Sequence, residues 1–144
     1  MLDAFFTLPW QIMTPDILFY EELEAFHPTL LAKGLKLQEL LPATMEFAWQ
    51  LTQRVTGPGR HDCFALALAK QEKCPLLTGD RALRKAAESE KLTVMGSLWV
   101  VEQLVLLGTI SPAQARTAYR RMKDAGRRLP WDEALLRLEQ ISTI

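Results

Sequence analysis

The sequence has only two cysteines, no low-complexity tract and no internal repeat. Cys63 and Cys74 lie eleven residues apart. That number and spacing exclude a zinc cluster, and two thiols in a chain of this size fit a reducing cytosol, where both serve as packing residues. No basic segment precedes the apolar start Met1-Leu2-Asp3-Ala4-Phe5-Phe6 and no small-residue cleavage site follows it, which argues against a secretory signal. Long apolar runs are missing as well. The longest, Leu98 to Leu107, is interrupted by Glu102 and Gln103 and is too short to span a bilayer. The expectation is a soluble, cytoplasmic protein with no membrane association.

What is present is the composition of a folded domain: 144 residues, 49% apolar and 24% charged. A chain of this length buries about two thirds of its unfolded surface in one core and is too short for two ordinary domains. Net charge is zero, but residues 1–50 carry two basic side chains, Lys33 and Lys36, against seven acidic ones. That half is therefore near −5 and the remainder near +5. The densest basic stretch is Arg116, Arg120, Arg121, Lys123, Arg127 and Arg128, relieved only by Asp124. It reads either as a solvated helix face or as a surface for RNA phosphates or an acidic partner.

The pattern alternates strand and helix. Leu2 to Leu8 reads as the end of a helix, stopped before Pro9, and Gln11 to Met13 as a short strand. Thr14 as N-cap and Pro15 at the first helical position open a helix to about Phe26, with Ile17, Leu18, Leu23 and Phe26 inward. Leu35 to Leu40 alternates as a strand does, and Pro42 opens a helix to about Val55. After the loop Thr56-Gly57-Pro58-Gly59 comes the helix HDCFALALAKQEK, then a short apolar strand Cys74 to Thr78, and a helix capped by Asp80. A strand at Leu92 to Met95 and a helix from Leu98 to Leu107 follow. The fold class expected is α/β, a parallel sheet covered by helices on both faces. Residues 1–110 form this body, and residues 111–144 form a helical hairpin packed on the same domain.

Open parallel sheets bind ligands at the carboxyl ends of their strands, so the polar residues just after each strand are the informative ones. Asp80 follows a strand directly in Thr78-Gly79-Asp80, Asp62 opens the preceding helix, and Glu22 lies in the helix after the first strand. Taken singly, each has a plain structural use: an N-cap, a first-turn acid and a surface glutamate. Three carboxylates within about 5 Å of one another would repel by several kcal/mol unless a cation neutralised them. Mg²⁺ or Mn²⁺ suits such an all-oxygen donor set.

The segments HDCFALALAKQEKCPLLTGDRALRKAA and TVMGSLWVVEQLV resemble the second half of a PIN domain, and TPDILFYEEL resembles that family's first acidic helix. The similarity covers most of residues 2–107. It implies a PIN-like three-layer α/β/α fold and a divalent-metal-dependent ribonuclease of single-stranded RNA, as in VapC-type toxins, which pair with an antitoxin protein. By motif position it places the metal-binding and catalytic acids at Glu22, Asp62 and Asp80, with Thr78 as a supporting hydroxyl. Glu21 is a weaker claimant than Glu22. His61 is expected to be a loop residue, because metal-bound water needs no further base. Arg81, Arg84 and Lys85 read equally as RNA contacts and as a solvated face. A homodimer is implied, with Leu98 to Leu107 as its apolar surface.

The sequence departs from the PIN pattern at the family's first strand, an apolar segment ending in an Asp that Asp3 does not replace. Without it a central gap of about two strand spacings, nearly 10 Å, opens in the sheet. Two half-sheets closing on each other, a segment from another copy, or a gene product starting upstream of Met1 would each fill it. The last is the expectation for the biology, and a rearranged or oligomeric structure for the chain itself. The resulting activity is an impaired ribonuclease; the alternative is a non-catalytic, degenerate PIN domain that binds RNA or an antitoxin-like protein. A phosphoacceptor signalling domain would need an acidic pair after the first strand and a lysine after the last, and has neither.

Overall fold

The computed structural model describes residues 2–142. They fall into two compact units, residues 10–96 and residues 2–9 with 97–142. No helix among the described residues is long and apolar enough to cross a membrane.

The first unit is mixed helix and strand. It runs β1 (Met13–Pro15), α2 (Asp16–Leu18), a π-helical turn (Phe19–Leu23), α3 (Leu30–Lys33), β2 (Lys36–Gln38), α4 (Pro42–Arg54), α5 (Arg60–Glu72), β3 (Leu76–Leu77), α6 (Arg81–Ser89) and β4 (Val94–Met95). α1 (Leu2–Phe5) precedes it in the chain. Both strand pairings are parallel: Thr14 faces Leu37 in β1–β2 and Leu76 faces Val94 in β3–β4. Where one sheet was expected, the described residues contain two separate two-stranded sheets.

Hydrogen-bond alternation identifies the edge of each pair that is left over. Lys36 N–H donates to the Ile12 carbonyl, so Ile12 and Thr14 face β2 and the Met13 amide and carbonyl point away from it. Leu76 and Thr78 donate to Thr93 and Met95, so Leu77 points away from β4 in the same manner. No other main-chain hydrogen bond takes up Met13 or Leu77 among the described residues. Pro15 ends β1 on that free side, where its missing N–H costs no ladder bond to β2.

α5 ties the two pairs together because its small and apolar residues form two rows. Cys63, Leu66 and Ala69 join Leu51, Leu76, Leu83 and Ala87 in one cluster. Phe64, Ala67 and Leu68 join Leu40 and Ala48 in another, against Met13 and Ile17. The helix thus packs on both β1 and β3, and its alanines allow close approach.

The start of the first long helix differs from expectation. Thr14 and Pro15 belong to β1, Pro15 stands at the N-cap with no side-chain bond, and the Ile17 amide donates to Asp16 Oδ1 at 2.7 Å. Pairing with Leu37 and Gln38 holds both residues extended, and the ladder outcompetes the cap. The helix gives way to the π-helical turn after Leu18, and Phe26, expected inward, is 80% exposed. Phe19, which opens the turn, is buried at 1% exposure, and the wider π-helical turn shifts the phase of the residues that follow it.

The second unit is helical. α7 (Ser97–Leu106), α8 (Pro112–Asp124) and α9 (Trp131–Ser142) pack on one another through Val101, Ala115, Tyr119, Ala134 and Leu138. Ser111 caps α8, its hydroxyl accepting from the Gln114 amide at 3.1 Å. The apolar stretch expected to form a dimer surface is turned largely inward at Val101 and Leu104, and only Leu106 and Leu107 at its end are exposed.

Tyr119 is 2% exposed and its hydroxyl has no hydrogen-bond partner among the described residues. A buried orphan hydroxyl costs free energy, so Tyr119→Phe is expected to raise stability by about 1 kcal/mol in urea unfolding. Burial, and secondarily the Glu102 charge, push the Tyr119 phenol up to about 12 against a partial offset from Arg137. The unfolded phenol titrates first, near 10. Stability is therefore whole below pH ~10 and falls as pH rises from there through ~12. Urea midpoints across that window should decline for the native chain and stay flatter for Tyr119→Phe.

Candidate functional site

The π-helical turn presents two adjacent carboxylates to the first turn of α5. Glu22 Oε1 lies 2.5 Å from His61 Nδ1, and Glu21 Oε2 lies 3.2 Å from His61 Nε2 and 2.5 Å from an Arg60 guanidinium nitrogen. A neutral imidazole has one donor, so both His61 contacts are hydrogen bonds only when both ring nitrogens carry protons. In that form two cations balance two anions. The His61 ring, 15% exposed, also meets Phe64 edge-on at 6.0 Å, and Arg60 stands over the same Phe64 ring at 5.8 Å. The expected loop position of His61 is thereby corrected. α5 begins at Arg60, because Gly59 supplies the extended N-cap.

Asp62 and Asp80 are each committed to a helix start. Asp62 Oδ2 accepts the Gly59 amide at 3.2 Å. Asp80 Oδ2 accepts the Leu83 amide at 2.8 Å, and the Asp80 amide donates to Thr78 Oγ1 at 3.0 Å. Thr78 therefore shapes the turn that presents Asp80. Glu22 follows the carboxyl end of β1, and Asp80 follows that of β3.

These acids do not, as positioned, make a metal centre. Among the described residues no three His, Cys, Asp or Glu side chains are grouped so as to hold a metal ion. Glu22 is engaged by His61 instead. The donor set therefore does not fit a divalent cation in this arrangement.

Neither thiol competes as a nucleophile. Burial, then the Asp62 charge, pushes Cys63 up, and burial, then Glu72, pushes Cys74 up, which disfavours the reactive thiolate. Both are free, and Cys63 sits in the core. The contribution of Arg60 and His61 was the part hardest to anticipate. Its one sequence signal is a pair of basic residues opening a helix that must pack near Glu21-Glu22.

A family model described as "DUF3368: PIN domain" matches residues 1–142. No curated protein and no solved structure matches the chain. The match spans nearly the whole sequence and agrees with small parallel sheets flanked by helices, with an acid following β1 and another following β3: the chain belongs to the PIN-domain family.

Proposed function

We propose that this chain is a PIN-type ribonuclease domain for single-stranded RNA whose cleavage is impaired in its present arrangement. The observation carrying this reading is the disposition of its acids. Glu22 lies in the π-helical turn after β1, Asp62 in the first turn of α5 and Asp80 at the N-cap of α6, an order that supports the carboxylate roles implied by the PIN resemblance. Yet among the described residues they form no group able to hold a metal, and His61 holds Glu22. The free edges of β1 and β3 at Met13 and Leu77 support a three-layer PIN architecture lacking its central strand and that strand's Asp. Mg²⁺ or Mn²⁺ is the cofactor of this reading, and the cytoplasm its setting. An antitoxin-like protein and a second copy are its protein partners, and the exposed apolar row Leu41, Met45 and Trp49 along α4 supports a protein contact.

The test is cleavage of single-stranded RNA by the chain with Mn²⁺, beside Asp80→Asn. Little or no cleavage by the chain is expected, with any residual rate reduced at least about tenfold by Asp80→Asn. Robust turnover by the unaltered chain would remove the impairment. Equal rates in the two proteins would instead favour the non-catalytic domain that binds RNA or an antitoxin-like protein.

A further inference from the structure

α8 carries a row of cations that no ion pair among the described residues neutralises. Arg116, Arg120 and Lys123 follow one another at spacings of four and three. On a helix this puts them within about 60° of each other, over a length of roughly 10 Å. All three are exposed, and among the described residues none makes an ion pair or a side-chain hydrogen bond. The row runs along the flank of α8, away from Ala115 and Tyr119, which face the core. Arg121 lies on the opposite flank, and Arg127 is tied to Ser97 at 2.9 Å.

The surroundings of the row select its partner. Protein interfaces need apolar or aromatic anchors at their centre. α8 has none: the exposed large hydrophobics end at Leu107 and resume at Leu135. Charge without an anchor suits a polyanion backbone, where cations alone supply the affinity. The absence of an aromatic platform on the row removes base stacking and leaves recognition tolerant of sequence.

We propose that the Arg116–Arg120–Lys123 row of α8 is a binding surface for the phosphate backbone of single-stranded RNA. This rests on the RNA-directed reading above, but not on cleavage. Three phosphate contacts on a single strand give a salt slope of about −2, so their share of the affinity falls roughly tenfold to twentyfold between 50 and 200 mM salt.

The measurement is fluorescence anisotropy of a labelled oligouridylate of about twelve nucleotides, with EDTA present so that no cleavage intrudes. The triple variant Arg116→Gln, Arg120→Gln, Lys123→Gln should bind about tenfold more weakly at 50 mM salt and lose about 2 from its slope. A control that removes the same charge elsewhere, Lys36→Gln, Lys73→Gln, Lys91→Gln, should retain both. Arg116→Lys with Arg120→Lys should retain binding, and all variants should melt with the unaltered chain by circular dichroism. Equal losses in the two triple variants, or none in the first, would overturn the proposal. Polyglutamate competing as well as RNA would overturn it in favour of an acidic protein. Binding as expected without any Mn²⁺-dependent cleavage would leave this surface standing and remove only the ribonuclease.

Discussion

Arg137→Ala is expected to lower the unfolding free energy by about 3 kcal/mol. Glu102 sits in α7 with its side chain 7% exposed, and Arg137 from α9 grips both its oxygens, Nε to Oε1 at 3.0 Å and a terminal nitrogen to Oε2 at 2.9 Å. Such a bidentate pair fixes the geometry as well as the charge. The value lies less in the pair than in what its loss leaves behind, a carboxylate among apolar residues with no cation. Because Arg137 is itself 57% exposed, Glu102→Leu should cost less than Arg137→Ala. The double variant should recover part of the loss, a coupling of about 1 kcal/mol or more in a double-mutant cycle. A cost for Arg137→Ala below about 0.5 kcal/mol in urea unfolding would place the pair with ordinary surface ion pairs.

Phe19→Ala is expected to cost about 3–5 kcal/mol, the range for emptying a buried aromatic site. Phe19 is 1% exposed and opens the π-helical turn that carries Glu21 and Glu22. Its loss should therefore also free the clamp on His61, visible as averaged ring resonances of that histidine at temperatures where the fold persists. A cost below about 1 kcal/mol would mean the turn is held by its backbone and by the ion pairs instead.

Much of the fold was legible because local signals carried it. Pro42 opens α4, Ser111-Pro112 opens α8 and Asp80 caps α6 as their residue types indicate, since capping and proline stereochemistry act over three or four residues. The same signals failed at Thr14-Pro15, where a partner strand more than twenty residues away held the pair extended. The positions of Asp62 and Asp80 were readable for the first reason. The engagement of Glu22 by His61 was not, because it joins residues 39 positions apart and depends on a change of helical phase after Leu18.

The sequence by itself determined that the chain alternates short strands with helices, that acids follow β1 and β3, and that its charges are segregated. Each of these is a property of residue order. Tertiary structure alone decided that the strands form two parallel pairs with α5 packed on both, and that two carboxylates face two basic side chains. Those outcomes depend on which distant backbone groups find partners, and an unmet strand edge or carboxylate is satisfied by whatever the folded chain brings within reach.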